Sequence, residues 1–596
     1  MSKLDSAYIK MQEFGKKTFL FLDRHKKIFL TIFLVLILVR LWLFLTMNWY
    51  VNMDTYYDSR LELNSAISMG SFEWGEAYSK VALCKGLAFP IFLAGLFMMR
   101  IPYPVGLFIL VLLAAFLFAR SLKPLIKNNW VRKLIFLFIL YNPVGLGGEM
   151  AYPYRNALLP WVVLIVVSTI IAIYFRRNAK IKKLLPWGVI GLVASGFFWN
   201  LREDSVWFLP FVLGGALITI LHFWLEQRRQ KTVGWKRYLT FIIVVLLPLI
   251  GILVWNTGIS IINKSVYGIY TTEDRTKTYS AKVLGALIRI DDGADMESDY
   301  WVSSESLELA KKASPTFASL DLKAFDNWSK IGDFSIWALR DSVANSGYYK
   351  DAKETNDLYK KIYEELEEGF ESGILKRKNG IQLSDTSGIY SVNEMFKPIG
   401  TTFKSFINHA FYDEYEVKLD ELVNVKTEGD IELYENELGI TLLRSDNELD
   451  AILADYKTKQ NNDNLRWLLR VNKKASNTII KIYNIVSPVL LVLSFMGILI
   501  KIILMIKNKS GKNYNLEVII VLFGLILLVL FYSYMVGLWG LGYDLTADSS
   551  LFKSYTTPQT IIVSIIEVFG VFCLISNTKE IFGKKIISKK YGERNE

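Results

Sequence analysis

Long apolar stretches recur along the whole chain, and they constrain its fold more than any other feature. Ten of them reach or approach the length of a membrane-spanning helix, and they cover residues 28–47, 104–119, 134–146, 157–174, 184–199, 206–225, 239–257, 479–505, 516–537 and 558–576. Because about 20 apolar helical residues cross the hydrocarbon core of a bilayer, the pattern predicts an α-helical polytopic membrane protein.

Composition excludes several other classes. The chain has 596 residues, of which 52% are hydrophobic, and a mean hydropathy of +0.28, which is too apolar for a soluble protein of this length. Cys84 and Cys573 are too few and too far apart for a disulfide framework or a thiolate metal site. Because the three histidines are scattered, a histidine-bound zinc ion is also disfavoured. The sequence indicates no particular cofactor, but it leaves open Mg²⁺ or Mn²⁺ held by carboxylates.

The positions of the basic loops predict the orientation. Arg24, Lys26 and Lys27 precede the first span, which places the N-terminus in the cytoplasm. If residues 84–99 form a re-entrant or interfacial segment, every short basic loop and the basic C-terminal tail also lie in the cytoplasm. We therefore predict ten spans plus one interfacial segment, with both termini cytoplasmic. The composition, rich in Lys, Ile and Asn, favours a bacterial plasma membrane.

Three regions follow from this topology: an N-terminal membrane module over residues 1–257, a large extracellular domain over 258–475, and a C-terminal module of three spans and a basic tail over 476–596. Residues 261–470 carry 38 acidic and 26 basic side chains, whereas the whole chain has a net charge of +12. The basic balance is therefore a signal of membrane topology, and it does not indicate nucleic acid binding. Apolar residues at three- and four-residue spacing predict a mostly helical domain, with one helix ending at Gly373.

Four stretches on the predicted outer face carry the candidate site: 48–83, 142–156, 200–205 and 537–558. With Lys85, they contain acids and cations at Asp54, Asp58, Glu62, Glu73, Glu76, Lys80, Glu149, Arg155, Arg202, Glu203 and Asp204. Carboxylates there can act as a general base or hold a divalent cation, and Lys and Arg can bind a phosphate. The alternative is that short polar loops carry charged residues without a chemical role.

Arg40 interrupts the first span about two-thirds of the way across. One interpretation is that its side chain extends to the outer interface. The other is that it faces an anionic lipid head group or an acidic site, where it would contribute to phosphate binding.

The start of the chain resembles the GT-C superfamily of membrane glycosyltransferases, in particular the protein O-mannosyltransferase and aminoarabinose transferase branch. Asp54 in NMDTYYD matches the acidic residue that opens the first outer loop of that superfamily. KGLAFPIFLA is similar to the KPPL-type segment, with Lys85 in the place of the lysine and Gly86-Leu87 in place of the prolines. In YNPVGLGGEMAYPYRN the corresponding second acidic position is Glu149. The resemblance covers about residues 20–260.

The resemblance implies a GT-C-like bundle and a reaction. A sugar on a polyprenyl phosphate would be transferred, with inversion, to a hydroxyl of an envelope glycan, lipid or protein. Asp54 would be the general base, and Glu149 would be a further catalytic acid. Asp58 would be a second acid or a metal ligand, or it would only cap or solvate a helix. The leaving phosphate would be stabilised by cations, for which the candidates are Lys85, Arg155, Arg202 and Arg40.

Two other classes remain open. A transporter or flippase of lipid-linked glycans is favoured by the interruption of a span at Tyr141-Asn142-Pro143. It is disfavoured because transporters usually carry several ionisable groups near the bilayer midplane, and among the candidate site residues Arg40 alone lies within a predicted span. A non-catalytic scaffold of envelope assembly would use the extracellular domain to bind a partner.

Overall fold

The computed structural model describes residues 3–52, 57–230, 234–293, 301–327, 332–418, 423–424, 428–443, 456–507 and 515–592. In this part of the chain the fold is almost entirely helical. The helices are α1 (Lys3–Arg24), α2 (Lys26–Leu45), α3 (Ser59–Gly70), α4 (Ala88–Met99), α5 (Tyr103–Ser121), α6 (Asn129–Leu140), α7 (Arg155–Arg176), α8 (Ile181–Trp199), α9 (Leu209–Gln230), α10 (Trp235–Tyr267), α11 (Tyr279–Ile288), α12 (Ser304–Ala313), α13 (Pro315–Ala318), α14 (Ala324–Asn327), α15 (Ser335–Asn345), α16 (Ala352–Glu371), α17 (Val392–Phe396), α18 (Pro398–Asn408), α19 (Glu428–Leu438), α20 (Tyr456–Lys507), α21 (Asn515–Trp539) and α22 (Ser550–Gly592).

Four two-residue strands complete the described elements: β1 (Val51–Asn52), β2 (Ile381–Gln382), β3 (Ile389–Tyr390) and β4 (Val423–Asn424). β2 and β3 pair antiparallel. β1 pairs parallel to β4, with Val51 opposite Val423, so the loop after α2 is joined by backbone hydrogen bonds to a segment almost 400 residues later.

Among the described residues, nine helices are long and apolar enough to cross a membrane, and the number is ten if one bent pair counts as a single span. The nine correspond to α2, α5, α7, α8, α9, α10, α20, α21 and α22, and the bent pair is α6 with residues 143–151. The prediction of a polytopic helical membrane protein is therefore confirmed. α4 has 12 residues, which is too short for a full crossing, in line with the predicted interfacial segment.

Arg40 explains how the bent pair is tolerated inside the bundle. The chain bends by 49° between Leu140 and Pro143, so backbone carbonyls there lose their helical partners. Arg40 is fully buried and donates hydrogen bonds to the carbonyls of Leu140, at 2.9 Å, and Gly145, at 2.7 Å. This arrangement differs from both interpretations of the sequence, which placed the Arg40 side chain at the outer interface or beside an anionic group. In the structure its partners are backbone carbonyls within the bundle.

The two largest hydrophobic cores organise the described residues. The larger one lies among the spanning helices. The second lies among α11, α12, α15 and α16 and also takes in Leu61, Val81 and Cys84 from the loop after α2. We call the end of the bundle that carries α11–α19 the domain side. The loop over residues 57–87 is held there by Arg340, which donates to the Lys80 carbonyl at 2.7 Å and pairs with Asp274 at 2.8 Å.

The described residues between 398 and 443 pack into a different core from the described residues between 279 and 375. Phe406, Tyr412, Tyr415 and Ile431 pack into the core of the spanning helices. α18 lies against the domain-side end of α21. The segment between α10 and α20 is thus divided between a separate helical core and a part that covers the bundle.

Candidate functional site

A polar cavity of about 780 Å³ lies on the domain side, where the loops between spans meet α11–α19. Its lining includes Asp58 and Lys85 from the first loop, Arg155 at the start of α7, and residues 202–207 before α9. Residues 383–390 and the segment joining α21 to α22 close the remaining sides. The structure therefore brings together polar stretches that are separated by up to several hundred residues.

Asp58 and Lys85 form the first pair in this cavity. Lys85 Nζ lies 2.6 Å from Asp58 Oδ1, and the Tyr154 hydroxyl donates to the same oxygen at 3.1 Å. Burial alone would raise the pKa of Asp58, but the charge and hydrogen bond of Lys85 outweigh it and hold the pKa below its usual value. Asp58 is therefore an ionised acceptor that lines the cavity beside a nearly buried cation.

Glu203 is the second centre of charge. Both of its carboxylate oxygens lie 2.9 Å from Arg155 Nη1, and Arg275 Nη2 lies 3.3 Å from Oε2. The Gly86 backbone N–H donates to Glu203 Oε1 at 3.1 Å. One carboxylate thus holds two arginines and the loop that carries Lys85 in fixed positions at one wall of the cavity.

Gly86 has a steric reason to be glycine. A Cβ atom at this position would collide with the backbone carbonyl of Asn200. The close approach is fixed because the Ala88 N–H donates to that same carbonyl at 3.1 Å. The glycine next to Lys85 therefore lets the first loop pack directly on the turn before Glu203.

Arg202 forms a third charged group. It binds Asp204 with two parallel contacts, at 2.8 Å from Nε and 2.7 Å from Nη2, and its guanidinium lies over the Tyr555 ring. Its Nη1 donates to Asn156 at 3.0 Å, and Asn156 donates in turn to Glu149 at 3.1 Å. Glu149 is thus linked to Arg202 through one asparagine, although Glu149 is not itself among the lining residues.

Glu62 lies behind the cavity, one helical turn after Asp58. It is almost completely buried, its Oε1 lies 3.8 Å from Arg155 Nε, and among the described residues neither of its oxygens has a hydrogen-bond partner. Burial raises the pKa of Glu62 to about 8 against the opposing charge of Arg155. Glu62 therefore keeps its proton at neutral pH, unlike Asp58.

The candidate residues from the sequence have different outcomes. Asp58, Lys85, Arg155 and Arg202 all line the polar cavity. Asp54 lies outside the described residues, and Arg40 lies within the bundle at the bend after α6.

Sequence reasoning missed Arg275 and Asp333. Arg275 contacts Glu203, and its Nη1 lies 3.8 Å from Asp333, which also binds the Tyr543 hydroxyl. Arg275 stands in the polar run TTEDRTKT directly after α10. The other candidate loops were identified because they carry polar residues at the end of a span. Arg275 meets the same criterion.

Four of the carboxylates that line the cavity are paired with cations: Asp58, Glu203, Asp204 and Asp333. Within the described ranges no group of three His, Cys, Asp or Glu side chains is arranged to hold a metal ion. The use of Mg²⁺ or Mn²⁺ held by carboxylates stays a prediction, since Asp54 is outside those ranges.

A second cavity, of about 1000 Å³, is almost entirely apolar and lies between α7, α9, α18 and α21. Phe211, Ile218, Leu527 and Phe531 are among its lining residues. Trp207 lines both this cavity and the polar one. An apolar groove between helices, open at the surface of the bundle where Phe523 and Leu527 are exposed, thus adjoins a charged cavity at the end of the bundle, with one tryptophan at the boundary.

These observations define the class: a multi-pass helical membrane protein with a charged cavity at one end of its bundle. Comparisons with protein-family models, with curated proteins and with solved structures gave no match.

Proposed function

We propose that this chain is a membrane glycosyltransferase that takes a sugar from a polyprenyl-phosphate donor. The single observation that carries the proposal is the shared wall at Trp207 between the apolar and the charged cavity. A donor of this class has a long apolar chain and an anionic, sugar-bearing head group. The two adjoining cavities match these two parts in polarity.

In this proposal the head group occupies the polar cavity. The acceptor hydroxyl gives its proton to an ionised carboxylate, and Asp58 is the candidate among the described residues. The hydroxyl oxygen attacks the anomeric carbon as the bond from that carbon to the phosphate oxygen breaks, and the phosphate leaves with the electron pair. Attack from the opposite side inverts the anomeric configuration.

Four cations would stabilise the departing phosphate: Lys85, Arg155, Arg202 and Arg275. All of them line the cavity, and each is held by a carboxylate, so their positions are set before the substrate binds. Glu203 and Asp204 therefore act as positioning residues. Asp54, from the sequence resemblance, is a second candidate for the base.

The wider setting follows from the sequence. We propose that the domain side is the extracellular face, that both termini are cytoplasmic and that the acceptor is an envelope glycan, lipid or protein. The segment between α10 and α20 adjoins the polar cavity through Asp333 and Trp337, and in this proposal it selects the acceptor.

A flippase for lipid-linked glycans is the second candidate, because the bundle contains a bent span and buried polar groups. Asn142 at the bend donates to Ser564 at 2.9 Å, and Glu567 of the same helix binds Ser487. Ionisable groups within a membrane bundle are characteristic of transport pathways.

One experiment separates these candidates. The full chain is reconstituted in liposomes with a polyprenyl-phosphate sugar labelled in both the lipid and the sugar, and with envelope extract as the acceptor source. We expect the sugar label to leave the lipid and appear in a water-soluble or acceptor-bound product, while the lipid label remains as polyprenyl phosphate. Movement of the intact donor between leaflets, without separation of the labels, would favour the flippase and contradict the transferase.

A further inference from the structure

α17 and α18 carry an exposed apolar stripe that follows one helical face. Its members lie three or four residues apart: Val392 and Phe396 in α17, and Ile399, Phe403 and Ile407 in α18. Phe411, three residues beyond the end of α18, continues the spacing. Such spacing places them within about one-third of the helix circumference. Exposed large apolar side chains in a continuous row are a sign of an interaction surface.

α18 has three distinct faces. Thr402, Ser405 and Phe406 are buried against the bundle. The apolar stripe lies next to that buried face. Lys404 lies on the third, polar face, where it pairs with the exposed residue Asp548. A helix with one face on protein, one apolar face and one charged face is suited to a boundary between hydrocarbon and water.

The attachment of α18 fixes its depth relative to the bundle. Ser405 lies 3.3 Å from Ser533, and the Tyr534 hydroxyl donates to the Met395 carbonyl at 2.9 Å. Both partners belong to the domain-side end of α21, a spanning helix. α18 therefore lies where α21 leaves the apolar layer.

The apolar stripe also continues onto the surface of the spanning helices. Phe523, Leu527 and Phe531 form an exposed row along α21 that leads towards α18. Ile399 and Phe403 line the apolar cavity together with this part of α21. The surface that faces lipid on α21 thus extends without interruption onto α18.

We propose that α17 and α18 form an interfacial helix pair whose apolar stripe is inserted among the acyl chains of the leaflet on the domain side. The occupant of the surface is lipid, because the stripe is continuous with the lipid-facing row of α21 and is bordered by a charged face. This part of the region between α10 and α20 is consequently embedded in the membrane rather than standing in water. The inference does not depend on the proposed reaction.

Site-directed spin labelling tests it. Cys84 and Cys573 are both buried, so the wild-type chain serves as the background and as the control for unwanted labelling. Single cysteines are introduced as Phe403→Cys and Ile407→Cys in the stripe and as Lys404→Cys on the polar face. Phe403 is 58% exposed and the Lys404 side chain 57% exposed, so the neighbouring positions are matched in accessibility and differ in direction.

The full chain is placed in lipid nanodiscs, and the collision rates of each label with oxygen and with a water-soluble nickel chelate are compared. We expect labels at residues 403 and 407 to collide mainly with oxygen, which concentrates in hydrocarbon, and the label at residue 404 to collide mainly with the nickel chelate. Preferential collision with nickel at residues 403 and 407 would overturn the proposal, because it would place the stripe in water. Low collision rates with both reagents there would also overturn it, because the stripe would then contact protein.

Discussion

Lys85 Nζ lies 2.6 Å from Asp58 Oδ1, at the wall of a cavity that also contains Arg155 and Arg202. The pair ties together the two ends of the loop over residues 57–87, just before the short helix α4 begins. Its geometry connects the candidate base with a candidate phosphate-binding cation, so the two residues should be coupled in any reaction that takes place there.

Replacing Lys85 by methionine tests the role of this cation. We expect Lys85→Met to lower sugar transfer by about 10²–10³-fold, as when one preorganised donor to a developing negative charge is removed. Asp58→Asn should also impair transfer, and the double variant should lose less than the product of the two separate losses, because the residues act as a unit. Independent, multiplicative effects would show that the two side chains do not act together.

Glu203 should contribute both to stability and to activity. Glu203→Gln leaves Arg155 and Arg275 without their shared carboxylate in a buried place, and breaking such a pair typically costs about 3–5 kcal/mol. We expect a lower Tm in lipid nanodiscs together with weaker donor binding. The matched control is Glu308→Gln, which breaks the exposed pair with Lys311 and should cost at most about 1 kcal/mol. An equal, small effect of both substitutions would contradict the positioning role of Glu203.

Glu62 should make stability depend on pH. Its pKa is about 8 in the folded protein and near 4.5 in the unfolded chain. Between these values the unfolded state releases a proton that the folded state keeps, so stability falls as the pH rises, by about 1.4 kcal/mol per pH unit for one proton. Above about pH 8 the loss is complete.

Glu62→Gln removes this titration. We expect its Tm advantage over wild type to grow from pH 5 to pH 8, and the exposed Glu73→Gln to show no such trend. A Tm difference that stays constant across this range would mean that Glu62 is already ionised in the folded protein.

The apolar cavity predicts a dependence on the length of the lipid. Gly524 lines the cavity, and Gly524→Trp would fill part of its volume from α21. We expect the KM for a long-chain polyprenyl donor to rise, while a donor with a short, soluble chain is used as before. Gly234→Trp, at an exposed glycine with open space around it, is the control. If both donors were affected equally, the apolar cavity would not be the site of the chain.

The sequence predicted the spanning helices well because a long apolar helix leaves a strong local signal. It also predicted that the loops carrying Asp58, Arg155 and Arg202 meet, because topology alone places alternate loops on one side of a membrane. The role of Arg40 was not predictable in this way. Its partners, the carbonyls of Leu140 and Gly145, are about 100 residues away and are free only because the chain bends before Pro143.

Arg275 and α18 show the second limit. Both belong to a segment that the sequence predicts to be one hydrophilic domain. In the structure, however, Arg275 pairs with Glu203 and α18 packs against α21. The amphipathic spacing of α18 is visible in the sequence. The role of the apolar stripe can be inferred only when the buried face of α18 is known. That face is determined by tertiary contacts with Ser533 and Tyr534.

The most direct test of the central claim is sugar transfer by the reconstituted wild-type chain and by Asp58→Asn and Asp54→Asn, with Asp548→Asn as a control. Each change keeps the size of the side chain and removes its basicity, and Asp548 is an exposed acid outside the polar cavity. We expect sugar transfer by wild type and by Asp548→Asn. In at least one of the two loop variants we expect the transfer rate to fall by about 10²–10⁴-fold at normal protein levels. Undiminished transfer by both loop variants, or no transfer by wild type from any polyprenyl-phosphate sugar, would contradict it.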